Sequence, residues 1–207
     1  MNYQTTILLD AGHGGIQNGL YQTKGKRYYG THQYQEVRIA EGAYNKAVAF
    51  GIQAKLHTFG VKTHIINPEP ADISLQARAR RVNQFARAQK CVLFSIHHNA
   101  YQAASVRGAE FFTSVGDTSA DPIAEYIAKK FADCFPNEKL RTNTIDPTKY
   151  SKEAGYFILK STVCPAVLTE WAFMTNEHDR RRIFDLGTQI DFFTDAILEM
   201  FDTRLIR

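Results

Sequence analysis

Cysteine is scarce in this chain and its placement is wrong for a structural role: Cys91, Cys134 and Cys164 are odd in number, far apart, and form no CxxC pair. That excludes a disulfide-stapled secreted scaffold and a cysteine-built metal knuckle, and it reads as a chain made under reducing conditions. Long apolar runs are also missing. Stretches such as 7–9 and 92–96 stop far short of the ~20 residues that cross a bilayer, so no transmembrane segment is expected. The opening MNYQTT has neither the basic region nor the apolar stretch of a secretory leader. The expectation is synthesis in the cytoplasm with no signal peptide in this chain. Several signatures of catalysis are absent as well. There is no GxxxxGK[ST], HExxH or GxSxG, and Gly12-x-Gly14-Gly15 lacks the third glycine of GxGxxG, which removes nucleotide-binding, zincin and serine-hydrolase readings. Charge of one sign is in short supply too: a net +4 is a mild bias rather than the dense basic stripe of a nucleic-acid protein. The segments Arg78, Arg80 and Arg81 with Arg87 and Lys90, and Arg180 to Arg182, read as solvated helix faces. No nucleic-acid partner is expected.

What is present describes one domain over residues 1–207. Hydrophobic residues make up 44% of the 207 and charged residues 22%, with no repeat or low-complexity linker to mark a boundary, and this is enough apolar material for a sizeable core. Short runs rich in Val, Ile and Phe at 6–9, 61–66, 92–96, 109–112, 156–159 and 166–169 predict six strands. Helical spacing appears between them. Val37, Tyr44, Val48, Ile52 and Phe59 recur on one face of 37–59, with Gly60 where a helix would stop. Ser74 opens a second helix that runs to Lys90. Asp121 followed by Pro122 reads as a cap with proline at the first helical position, and a closing helix spans 189–202. Strand and helix in alternation predict an α/β fold: a mostly parallel, six-stranded twisted sheet with helices on both faces. Residues 14–35 and 136–154 show no periodicity and are longer than ordinary connections, which marks them as functional or mobile loops. Arg141, Asp146 and Lys149 make the second of these the place to look for peptide contacts.

The polar residues that stand out sit at predicted strand ends. Strand one runs into Asp10-Ala11-Gly12-His13-Gly14-Gly15, the third into Ser95-Ile96-His97-His98-Asn99, and a later one into Leu168-Thr169-Glu170. The carboxyl ends of strands in an open parallel sheet share one rim where ligands bind, so His13, one of His97 and His98, and Glu170 can converge. Strand alternation sends His97 and His98 to opposite faces, so at most one of them belongs there. At 100° per residue Glu41 falls in the middle of the apolar stripe of the first helix and Glu36 well to its side; Glu36 is the alternative if the helix starts late. A carboxylate on a buried face needs a partner. Two imidazoles and one carboxylate form a ligand set suited to catalytic zinc. Asp10 either orients a ligand or caps the turn, Asn99 either reaches substrate or caps its loop, and His32, His57, His64 and His178 are read as ordinary hydrogen-bonded histidines. Cys91 and Cys164 each lie six residues before the rim of their strands, roughly 20 Å away, which excludes a cysteine hydrolase.

Four segments together carry a resemblance. ILLDAGHGG, the helix start Glu41-Gly-Ala-Tyr-Asn45-Lys46, SIHHNA at 95–100 and AVLTEWAFMTN at 166–176 resemble the signature segments of the zinc-dependent N-acetylmuramoyl-L-alanine amidases called Amidase_3. The likeness runs from strand one to the closing helix. It implies that His13, Glu41 and His97 hold one zinc ion and that Glu170 is the catalytic carboxylate, His97 being preferred because the family pattern reads Ser-Ile-His-x-Asn-Ala. It implies a hydrolase that cuts the amide between N-acetylmuramic acid and L-alanine, with peptidoglycan as partner and the bacterial cell wall as site of action. The missing leader then favours a lysin released by cell lysis. Two other readings share these residues: a zinc peptidase or deacylase acting on a related amide, and a non-catalytic peptidoglycan-binding module, against which Glu170 argues.

Overall fold

The computed structural model describes residues 3–206. Its strands are β1 (Thr6–Ala11), β2 (Ile16–Gln17), β3 (Leu20–Tyr21), β4 (Arg27–His32), β5 (Gln35–Ala40), β6 (Thr63–Ile65), β7 (Cys91–Asn99), β8 (Glu110–Thr113), β9 (Lys152–Glu153) and β10 (Ala166–Phe173). Its helices are α1 (Glu41–Thr58), α2 (Leu75–Ala88), α3 (Asp121–Cys134), α4 (Phe157–Lys160), α5 (Glu177–Phe184) and α6 (Leu186–Asp202). Six strands form the main sheet in the order β6-β1-β7-β10-β8-β9, parallel throughout except between β10 and β8. The strands whose ends carry the singled-out polar residues, β1, β7 and β10, are therefore adjacent at its centre.

Central parallel strands are covered on both faces and so read as continuous apolar runs; all six residues of β1 are buried. The larger core joins Ile7, Leu9, Phe94, Ile96, Phe111 and Trp171 to α1, α3 and α6. On the other face Leu8, Leu93 and Leu168 pack against Ala79 and Val82 of α2 and Ile158 and Leu159 of α4. Trp171 is fully buried, with ring centroids 5.3 to 5.7 Å from Phe131, Phe135, Phe192 and Phe193. Such aromatic pairs contribute about 0.5–1.5 kcal/mol each beyond burial.

Several sequence expectations need correction. The run 156–159 is not a strand: Tyr156 is extended and Phe157 opens α4. A four-residue apolar run has no period to distinguish the two, and the sixth strand is the polar edge pair Lys152–Glu153. The first helix begins at Glu41 rather than at 37. Val37 belongs to β5, and Phe59 lies beyond the helix and is exposed. Asp121 does not cap α3; it is the first helical residue, and its carboxylate accepts the Thr118 N–H and Oγ1–H from the turn before it. Helix α5 is anticipated only as a helix face carrying Arg180 to Arg182, without bounds, and the closing helix starts at Leu186 with Asp185 accepting from the Thr188 N–H. The first long loop folds into two hairpins, β2-β3 and β4-β5. The second carries β9 and is pinned by Glu125, whose carboxylate accepts from the Tyr150 and Ser151 N–H groups.

Candidate metal centre

Strand β1 delivers His13 over a backbone held at almost every step. Ala11 exchanges two hydrogen bonds with the Asn67 carboxamide, N–H to Oδ1 at 3.0 Å and Nδ2–H to the carbonyl at 2.6 Å. The Gly12 N–H donates to the Ile96 carbonyl at 2.9 Å, and Gly14 N–H to Thr23 Oγ1 at 2.8 Å. The residue that turns the chain is His13 itself, in the left-handed region at φ +66°. A non-glycine residue there is strained and persists only where its surroundings fix it. The glycine that precedes it makes room for a neighbour. A Cβ on Gly12 would lie 2.2 Å from His97 Cε1, so the bare backbone of Gly12 is the floor under the second imidazole.

Glu41 is the first residue of α1, and its N–H donates to the Lys26 carbonyl at 3.0 Å. Gly42 lets the helix start this close, because a Cβ there would lie 2.0 Å from the Gly14 carbonyl oxygen. The Glu41 side chain is 3% exposed and stands between the two imidazoles, Oε2 at 3.2 Å from His13 Nε2 and Oε1 at 3.0 Å from His97 Nδ1. Burial alone would push this carboxyl up, but the hydrogen bonds and charges of His13 and His97 outweigh it and hold Glu41 well below the usual carboxylate range. Burial disfavours the charged form of His97 as well, yet Glu41 and Glu170 raise its pKa. The imidazole rings meet edge to face with centroids 5.1 Å apart. One ligand atom from each of His13, Glu41 and His97 lies within 4.8 Å of the others, so the structure brings together the three residues singled out as metal ligands.

His98 is decided by alternation, as expected. It turns to the other face, with Nδ1 2.7 Å from Asn45 Oδ1 and Nε2 3.2 Å from the Gln189 carboxamide, and burial pushes its pKa down to about 4. It is a neutral core histidine that braces α1 and α6. Glu36 is exposed on β5, far from a helical wheel. Glu170 stands beside His97, the two being register partners on neighbouring parallel strands. Its Oε2 is buried with no hydrogen-bond partner among the described residues. Burial first, then the Glu41 and Glu110 charges, push its pKa up to about 8, against the opposing charges of His97 and Lys26. A carboxyl raised in this way binds a proton more tightly than an ordinary glutamate, the property a general base needs.

Sequence reasoning missed Glu110. It lies opposite Glu170 on β8, is buried, and accepts from Asn99 Nδ2 at 2.8 Å, Arg141 Nε at 3.1 Å and Lys152 Nζ at 2.7 Å. The signal was a glutamate inside the apolar run Ala-Glu-Phe-Phe. Asn99 thus braces Glu110 and, through Oδ1, caps its own loop at Ala100. Asp10 orients no ligand side chain: it accepts from Arg78 Nη1 at 2.9 Å and Ser95 Oγ at 2.7 Å, on the α2 face of the sheet. Arg78, expected on a solvated face, is 2% exposed. Arg180 and Arg182 are buried too, the former donating from Nη2 to the Thr31 carbonyl at 2.6 Å and so tying hairpin β4-β5 to α5. Arg80 and Arg87 are exposed as expected.

A cleft of about 470 Å³ opens on the centre, lined among others by His13, Lys26, Glu41, His97, Tyr156 and Glu170. Arg141, Asp146 and Lys149 do not line it. Cys91, at the start of β7, and Cys164, just before β10, are free thiols at the opposite end of the sheet from the rim. A second group, Glu138, His178 and Asp179, also gathers three donor atoms. Arg182 pairs with both of its carboxylates, and Arg107 Nη1 sits 3.1 Å from His178 Nδ1, so it is an ion-pair network already supplied with cations.

A parallel α/β sheet with a candidate His-Glu-His metal group and a partnerless carboxyl on its carboxyl rim defines a class of domain, and comparison with known proteins gives the family. The sequence model of the Amidase_3 family, N-acetylmuramoyl-L-alanine amidase, matches residues 7–199, and the chain belongs to that family. It is 27% identical over 180 residues to N-acetylmuramoyl-L-alanine amidase LytC of Bacillus subtilis (strain 168), a match that covers 86% of this chain and 31% of the relative. The chain therefore spans about a third of that curated relative's length. Solved structures share the fold. The N-acetylmuramoyl-L-alanine amidase from Clostridium difficile 630 superposes with a TM-score of 0.73 at 20% identity, covering 97% of this chain and 98% of that one. The catalytic domain of CwlV from Bacillus (Paenibacillus) polymyxa var. colistinus gives 0.71 at 19%, covering 96% and 98%.

Proposed function

We propose that this chain is a single catalytic domain, residues 1–207, that uses one zinc ion to hydrolyse the amide between N-acetylmuramic acid and L-alanine in peptidoglycan, and that it acts on the bacterial cell wall. The observation that carries the reading is the convergence of His13, Glu41 and His97 within 4.8 Å beside the buried, partnerless Oε2 of Glu170. The donor set fits the metal: two neutral-capable imidazoles and one carboxylate held ionised by them are the nitrogen and oxygen ligands of catalytic zinc. A cation also accounts for a buried carboxylate flanked by two histidines, one of them in a strained backbone conformation. When bound, zinc supplies Lewis-acid polarisation of the scissile carbonyl and acidifies water, from a pKa of ~15.7 toward ~7.

The protein's own groups supply the rest. Glu170 Oε2 takes the proton of the attacking water and passes it to the departing alanine nitrogen, a general acid/base role contributing roughly 10²–10⁴ in rate. Its environment suits both halves of that exchange, because a carboxyl whose pKa is about 8 accepts a proton readily near neutrality and releases it to an amine. Glu110, the carboxylate on the neighbouring strand, is paired with Arg141 and Lys152 and so does not compete for that proton. The test is product mass. Digests of purified peptidoglycan should release stem peptides with a free L-alanine amino group and intact sugars; shortened peptides still attached to sugar would replace this reading with a peptidase.

A further inference from the structure

Lys26 ends the turn between β3 and β4 with its backbone in the left-handed region, at φ +49°, where lysine rarely sits. What holds it there is its own carbonyl, which accepts the Tyr21 hydroxyl at 3.1 Å and the Glu41 N–H at 3.0 Å. The bond that fixes the first residue of α1 thus also hangs the Lys26 side chain over the cleft, which it lines with His13, Glu41, His97 and Glu170. Among the described residues no carboxylate lies within 4.0 Å of its ammonium. The other cation lining the cleft is already engaged: Arg27 donates to the Gly25 and Thr23 carbonyls and to the Tyr29 hydroxyl and packs over the Tyr21 ring. A flexible, strongly hydrated ammonium at the mouth of a reactive cleft binds anions as a point charge. In an N-acetylmuramoyl peptide the lactyl carboxyl of the sugar is consumed in the scissile amide, so the remaining carboxylates lie on the peptide.

We propose that Lys26 is a specificity-determining residue whose ammonium binds a free carboxylate on the peptide segment following the scissile amide. This rests on the amidase reading above. The experiment uses two muramoyl-L-alanyl peptides that differ only in whether the residue after alanine carries a free carboxylate or a primary carboxamide. Wild-type protein is compared with Lys26→Met, with Lys26→Asn, which accepts a left-handed backbone, and with Lys26→Arg; the zinc content of each is measured alongside. The expected result is a lower KM of wild type for the acid by about tenfold, a factor worth about 1.4 kcal/mol. That preference should collapse to near unity in Lys26→Met and Lys26→Asn through a rise in KM for the acid, and persist in Lys26→Arg. A wild type indifferent to the carboxylate overturns the proposal, as does a variant that slows both substrates equally or lowers kcat at unchanged KM, since Lys26 would then act on the reacting centre. Wild-type protein that cleaves neither substrate at the muramoyl-alanine bond overturns the amidase reading and this proposal with it.

Discussion

Glu170 and His97 face the same rim from adjacent strands because parallel register partners project to one side. What separates their roles is partnership: His97 is tied to Glu41, and Glu170 Oε2 to no hydrogen-bond partner among the described residues. Glu170→Gln should therefore keep the fold and the metal and lower kcat by roughly 10²–10⁴; a variant within tenfold of wild type would remove Glu170 from the proton-transfer role. Gly12 has an equally specific task. Since any Cβ at this position would meet the His97 ring at 2.2 Å, Gly12→Ala should displace that ligand and weaken zinc affinity by roughly 10–100-fold, the range seen when a ligand loses its support. Competition with a chromophoric chelator measures this directly. At this scale the sequence was informative. His13, His97 and Glu170 were legible as polar residues at predicted strand ends, with the family resemblance choosing His97 over His98 and giving Glu170 its role, and Glu41 was legible as a carboxylate inside an apolar pattern. Glu110 met the same criterion within its apolar run, and what hid it was the absence of any sequence signal for its partners, Arg141 and Lys152, some thirty to forty residues away.

At the level of elements, the two faces of the sheet are locked by contacts that no periodicity reveals. Arg78 looked like one more charge on the polar side of α2, because a helical wheel gives direction but not what lies opposite. Opposite it is Asp10 of β1, and the guanidinium also donates to the Ala11 and Ile73 carbonyls at 2.8 and 2.7 Å, immediately before the His13 turn. Arg78→Leu should leave the Asp10 carboxylate, 1% exposed, buried and unpaired, a loss of about 3–5 kcal/mol. Urea unfolding checks it, and a cost under about 1 kcal/mol would mean that water or rearrangement replaces the arginine. Helix α4 and strand β9 were exchanged in the sequence reading for the same underlying reason: four apolar residues fit either geometry, and two polar residues on a sheet edge carry no apolar alternation at all. The caps were more readable where the side chain reaches forward, as Ser74 does to Ala77, than at Asp121, whose carboxylate reaches back.

For the molecule as a whole, the six-stranded, mostly parallel sheet with helices on both faces was legible from the alternation of patterns, because central strands and amphipathic helices each have their own period. The hairpins β2-β3 and β4-β5 were not, because their strands are short or largely exposed, yet the turn into β4 places Lys26 and Arg27 in the lining of the cleft. Stability also has a global pH signature. Burial first, reinforced by the charge of Arg78, pushes the Lys46 ammonium down to about 8, although its Nζ donates to the Asn67 carbonyl at 2.6 Å. Between pH 8 and 10.5 the unfolded chain binds this proton and the folded chain does not, so folding stability should gain a rising contribution across that window, fully present above 10.5 and lost as pH falls through 8. Unfolding free energies measured across the window should show this slope in wild type and its loss in Lys46→Met; identical slopes would place the titration elsewhere.

The central claim is that folding gathers His13, Glu41 and His97 around a single divalent cation. Anomalous diffraction at the zinc absorption edge from crystals of the zinc-loaded protein tests it most directly. The account predicts one peak per chain, bonded to a nitrogen of each of those two imidazoles and to the Glu41 carboxylate. No peak there, or zinc held by other side chains such as Glu138 and His178, would contradict it.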